Sequence, residues 1–166
     1  MANNKYPAVS RHLHWLIAWA VILSYVTIFV GAYPWHFLFG TVTLVLSVVR
    51  LVTMHVYMKR VPAIVPPVSK FQLLLAKLVK IALALIFILI PLFAILFRLY
   101  YGRNFALFGW EIIPAGVVTP NFDLGAFFHQ GHIVLGYVGL ALIGLHSVAA
   151  LAHHYVFKDN TLKRML

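Results

Sequence analysis

The sequence predicts an all-α membrane protein, a four-transmembrane-helix bundle, and three observations lead there. Four apolar stretches along 166 residues are each long enough to cross a hydrocarbon core of about 30 Å. Apolar residues make up 63% of the chain and mean hydropathy is +0.96, so ionisable residues are too few to cover an ordinary water-facing surface. Lys and Arg collect lopsidedly between the stretches, as in a multi-pass chain of fixed orientation.

In chain order, the first helix is expected over about 10–31. It is entered by His-Leu-His-Trp, is long for a signal-peptide core and lacks a clear small-residue cleavage site, so it reads as a retained span. Tyr33-Pro34-Trp35 reads as a tight turn with interfacial aromatics. The second helix, about 35–56, ends among Arg50, His55, Lys59 and Arg60, before the proline-rich connector VPAIVPPVSK. The third, about 71–98, carries Lys77 and Lys80 in its first turns and Pro91 inside, where a kink is expected. Residues 99–125 are too short for a domain and read as an outer cap. The fourth helix, about 126–155, ends in His153-His154-Tyr155, and a basic tail runs from Lys158 to Arg164. The whole chain, 1–166, reads as one integral-membrane domain.

The formal charge of +10 comes from thirteen Lys and Arg against Glu111, Asp123 and Asp159. The positive-inside rule accounts for most of it, so no nucleic-acid partner is called for; membrane lipid is the expected surroundings. Two basic residues precede the first span, six lie within 50–80 and three in the tail, with only Arg98 and Arg103 on the other side. Both termini are therefore expected in the cytoplasm and the cap outside. The lack of cysteine excludes disulfides, iron–sulfur clusters and thiolate zinc sites.

The fourth apolar stretch carries five of the nine histidines. His132 and His146 are fourteen residues apart, just under four turns at ~3.6 residues per turn, so both leave one side of the helix ~21 Å apart. His36 opens the second span on the outer side and His14 lies in the first turns of the first span on the inner side. Four histidines thus sort into two levels, His14 with His146 and His36 with His132. His12, His55 and His129 sit at ends or off this line and read as interfacial polar residues. The four spans hold no carboxylate, which disfavours catalytic zinc or di-iron, whereas haem needs only axial ligands from facing helices. Gly40 and Gly136, each four residues after one of these histidines, either admit a macrocycle or allow close helix packing. A histidine-lined metal permease also explains the histidines, although a cation path without an intramembrane carboxylate is unusual.

With these residues in view, the chain resembles the bacterial cytochrome b561 family over nearly its whole length. The resemblance rests on His14-Trp15, on His36 with Gly40 and Val48-Val49-Arg50, on Phe108-Gly109 and Pro114, and most on LGYVGLALIGLHSVAALAHHYVFKDNTLKRML, close to the superoxide oxidase branch. It implies a bundle enclosing two haem b groups in the bacterial inner membrane. Haem iron would be held by His14 and His146 on the cytoplasmic side and by His36 and His132 on the periplasmic side. It further implies an oxidoreductase carrying electrons from a periplasmic donor, superoxide in that branch, to ubiquinone. Arg98 and Arg103 then read as steering a small anion or as interface anchors. Arg50 and Lys77 read as propionate partners, with snorkelling the simpler account of the lysine. His153, with His154 and Lys80, reads as a quinone or proton site or as a haem-propionate or lipid-headgroup contact: His153 is only ~20° around the helix from His146 and lies nearer the cytoplasm. Family members commonly carry His-x-x-His at the start of the third helix, where this chain has Lys77 and Lys80. The alternative function is a haem-bearing anchor relaying electrons for a partner dehydrogenase or cytochrome. A homodimer is compatible with the sequence.

Overall fold

The computed structural model describes residues 5–57 and 63–166, so Lys59, Arg60 and the start of the connector lie outside the described residues. Four helices are long and apolar enough to cross a membrane: α1 (Ala8–Phe29), α2 (Tyr33–Tyr57), α3 (Lys70–Tyr100) and α4 (Phe122–Tyr155). The chain is a multi-pass membrane protein. A short antiparallel hairpin, β1 (Phe105–Leu107) and β2 (Trp110–Ile113), lies in the cap.

Local chemistry sets the ends of the helices. Gly31, at φ +72°, takes the left-handed turn between α1 and α2, so the chain reverses there rather than at Tyr33-Pro34-Trp35. Those three residues form the first turn of α2, where a proline costs no hydrogen bond. Ser69 opens α3 with a reciprocal capping box: its hydroxyl accepts from the Gln72 amide and the Gln72 side chain accepts from the Ser69 amide. α4 starts four residues before its apolar run because Asn121 Oδ1 accepts from Leu124 N at 3.0 Å and Asp123 lies in the first turn. α3 continues through Pro91, which takes the helical donor away from the Phe87 carbonyl.

The helices pack in sequence, α1 on α2, α2 on α3 and α3 on α4. Among the described residues the backbone of α4 comes close to neither α1 nor α2. Side chains bridge that separation: Tyr25 Oη donates to the Gly136 carbonyl at 2.6 Å. The glycines of α4 divide by what surrounds them. Gly125, Gly131 and Gly139 admit side chains of α3 and its C-cap so closely that a Cβ would lie 2.6 Å from the Tyr101 ring, 2.7 Å from Phe93 and 3.1 Å from Ile86 respectively. A Cβ on Gly40 of α2, Gly136 or Gly144 would meet nothing within 4 Å among the described residues.

Gly139 and Gly144 therefore make a paired test in one helix. Gly139→Leu, wedged against Ile86, Ile90 and Tyr25, should cost about 1–3 kcal/mol and lower the melting temperature in detergent. Gly144→Leu, which adds the same side chain in open space, should melt close to wild type.

Candidate cofactor site

The helices bring the four histidines together in the two expected pairs. His36 of α2 and His132 of α4 face each other with ring centroids 6.1 Å apart and planes at 87°. His14 of α1 and His146 of α4 do so at 6.2 Å and 78°. Two metal–imidazole bonds of about 2 Å, laid end to end between two ring centres, span roughly 6 Å. Each pair is thus spaced so that one metal ion would fit between its two rings.

Second hydrogen bonds orient the pair at the cap end. His132 Nδ1 donates to the Ile90 carbonyl at 2.9 Å, and His36 Nδ1 to the Ser24 carbonyl at 2.9 Å, with Ser24 Oγ at 3.2 Å. Committing Nδ1 to a carbonyl fixes the tautomer that presents Nε2 to a metal, the arrangement usual for ligating histidine. A cavity at this level is lined by Tyr25, His36, Gly40, Thr43, Phe87 and His132. Thr43 is only 5% exposed and its hydroxyl has no hydrogen-bond partner among the described residues, although Thr41 nearby bonds the Phe37 carbonyl. Imidazoles facing across helices with separated backbones, glycines beside them with no near neighbour and an unspent buried hydroxyl all fit a flat macrocycle. At the other level His14 packs edge-on against Trp15 at 5.5 Å, and the Trp15 indole donates to the Met165 carbonyl.

The remaining candidates fall into separate places. Arg50 is half-buried within electrostatic range of His14 and His146, and Lys80 within range of His146 and Arg164. Lys77 is exposed. At the cap end Arg98 lies over the Phe37 ring, 5.1 Å from its centroid, and donates to the Asn104 carbonyl, while Arg103 is exposed nearby. His12, His55 and His129 are exposed. His154 packs against Tyr155 with its Nδ1 buried and unpartnered among the described residues. Among those residues no three histidines or carboxylates gather in a metal-binding group; the imidazoles meet two by two.

One residue at the site was not singled out from the sequence. Asp159, 3% exposed, holds His153 Nδ1 at 2.5 Å and accepts from Thr161 N at 2.8 Å. The available signal was a lone acid six residues beyond His153 in an otherwise basic tail. Burial pushes its carboxyl up, but hydrogen bonds from His153 and Thr161 outweigh that and hold it below its ordinary 3.8.

A four-helix membrane bundle with two facing imidazole pairs defines a class, the haem-binding membrane cytochromes. The family model for prokaryotic cytochrome b561 matches residues 5–166, and the chain belongs to that family. It is 33% identical to cytochrome b561 homolog 1 of Escherichia coli K12, over 98% of this chain and 97% of that protein. It is also 33% identical to the probable superoxide oxidase CybB of Yersinia pestis, over 99% and 97%. Cytochrome b561 homolog 2 of E. coli K12 is 29% identical, over 98% and 92%. The protein is a haem b membrane electron-transfer protein.

The depressed native pKa of Asp159 makes its contribution to stability full above the unfolded carboxylate range of about 4 and lost as pH falls through the native value. Melting curves in detergent should show an acid limb below that range in the wild type, and Asp159→Asn should flatten it.

Proposed function

We propose that the chain is a dihaem oxidoreductase that takes electrons from a small donor, superoxide above all, at the cap end and passes them to ubiquinone. The observation that carries this reading is the pair of facing imidazole couples, both completed by α4 and stacked from one end of the bundle to the other. His36 and His132 hold one haem and His14 and His146 the other; bound haem iron supplies the one-electron chemistry. The protein sits in the bacterial inner membrane with both termini in the cytoplasm, in keeping with the gathering of Lys and Arg at that end.

The residues around each pair divide the remaining work. At the cap end Arg98 and Arg103 place positive charge beside Phe37, next to His36, where a small anion is drawn in. Phe105, 4% exposed, and Phe108, edge-on to Trp35 at 5.0 Å, close the hairpin over this end. At the other end Arg50 and Lys80 offer cations to propionates. The name of the Yersinia relative supports superoxide as the donor.

A reduced-minus-oxidised visible spectrum tests the haem content. His132→Ala and His146→Ala should each remove about half of the b-type absorbance, because each takes one ligand from a different site. A colourless protein sinks the reading. Purified wild type should reduce a short-chain ubiquinone with superoxide alone; activity that needs a co-purifying partner favours the anchor function instead. Arg98→Gln should slow this reaction several-fold at low ionic strength and weaken its salt dependence, measured as initial rates across a salt series.

A further inference from the structure

The tail beyond α4 folds back over the end of the bundle that carries both termini. Lys158, at φ +53°, reverses the chain, and the Asp159 amide bonds back to the His153 carbonyl at 3.0 Å. Asn160 then clips the tail to the segment before α3: its amide donates to the Val65 carbonyl, and its side chain accepts from the Val65 amide and donates to the Ala63 carbonyl. Farther on, Arg164 meets Tyr6, Met165 receives the Trp15 indole and the Leu166 carbonyl receives Arg11. This strap therefore joins α1, the α2–α3 segment and α4, with Asp159 buried beneath it.

We propose that Asp159 is a positioning residue which, through its bond to Nδ1, aims His153 as the proton donor to a quinone at the terminus end. The inference rests on the quinone-reducing function proposed above. A carboxylate only accepts hydrogen bonds, so His153 Nδ1 must be the donor and Nε2 is the nitrogen left to exchange protons. His153 is 18% exposed, packs on Phe157 at 5.2 Å and lies on the same side of α4 as His146, about two turns nearer the helix end. Other titratable groups at this end, Arg11 and His14 on α1, Arg50 on α2, Lys80 on α3, His154 on α4 and Lys158, Lys163 and Arg164 on the strap, are basic, and Asp159 is the carboxylate bonded to the imidazole. For each electron the quinone receives, the Nε2–H bond breaks as an O–H bond forms on a quinone carbonyl oxygen. The imidazole is left neutral with its Nδ1–H still on Asp159 and reloads from cytoplasmic water, and a second round completes the quinol.

Two measurements on the haem-loaded full chain test this. In protein labelled with nitrogen-15 histidine, one imidazole should show a strongly hydrogen-bonded Nδ1–H that Asp159→Asn abolishes; its absence from wild type overturns the dyad whatever the activity. In stopped flow, dithionite-reduced protein is mixed with a short-chain ubiquinone. Asp159→Asn should slow quinone-driven reoxidation by at least about tenfold and shift its pH profile, with the b-type spectrum intact. Asp159→Glu should recover much of the rate, and Asn160→Ala, which cuts the clip but spares the dyad, should stay near wild type. Wild-type kinetics in Asp159→Asn overturn the inference alone. Equal slowing in Asn160→Ala assigns the effect to the strap's structure and also overturns it. A wild type that binds haem yet passes nothing to quinone overturns both this inference and the function on which it rests.

Discussion

The hydrogen bond from His132 to the Ile90 carbonyl sets the cap-end imidazole pair on the closely packed α3 and α4. α3 contributes no histidine to either pair, yet it supplies the acceptor that orients the ring of α4 at the cap-end site. A second acceptor bond costs a helix carbonyl little, whereas an imidazole at membrane depth with an unspent N–H costs several kcal/mol. The same requirement fixes His36 on the Ser24 carbonyl of α1. Ring direction at this level is therefore decided by backbone, which cannot move without moving whole helices.

That constraint explains why α3 and α4 pack so closely while α4 stands off from α1 and α2. Small residues on α4 bring the α3 side chains in, and Gly139, midway between His132 and His146, touches Ile86, Ile90 and Tyr25. On either side of this waist the imidazole pairs reach across to α1 and α2. Few residues of the spans are buried, only 6% of the best apolar window of α4, so lipid on one side and a prosthetic group on the other account for surface that soluble helices would bury.

What could be read from residues alone followed the strength of the periodic signal. Fourteen residues of uninterrupted helix carry His132 into His146 with little angular drift, so the pairing with His36 and His14 was legible before any coordinates. Gly40 and Gly136 carry two meanings in the sequence, and their surroundings separate them: among the described residues Gly136 stands in open space, whereas Gly131 and Gly139 serve packing. The hairpin of the cap was not legible. Its strands are three and four residues long, and what holds them is Phe105 buried between helix ends and Asn104 bonded to Glu111, not alternation in the sequence. The start of α4 was missed for a related reason. Its first turn projects polar residues beyond the apolar run, and its beginning is set by the Asn121 cap, which hydropathy does not register.

The two ends of the bundle solve opposite problems. Under the proposed function a small donor must come close at the cap end while bulk water is kept off, and a hairpin with aromatic packing and two arginines near the histidines suits this without any buried acid. At the other end, on the same proposal, electrons leave with protons, which asks for a group able to hold and release a proton at a fixed point. An acid placed in a transmembrane span would be costly and would offset the cations around the inner pair. Carrying it instead on the returning tail, one residue past a left-handed turn, puts the carboxylate under His153 from outside the apolar layer. The basic tail, read from composition as an orientation signal, is thereby also a structural part of the site it covers.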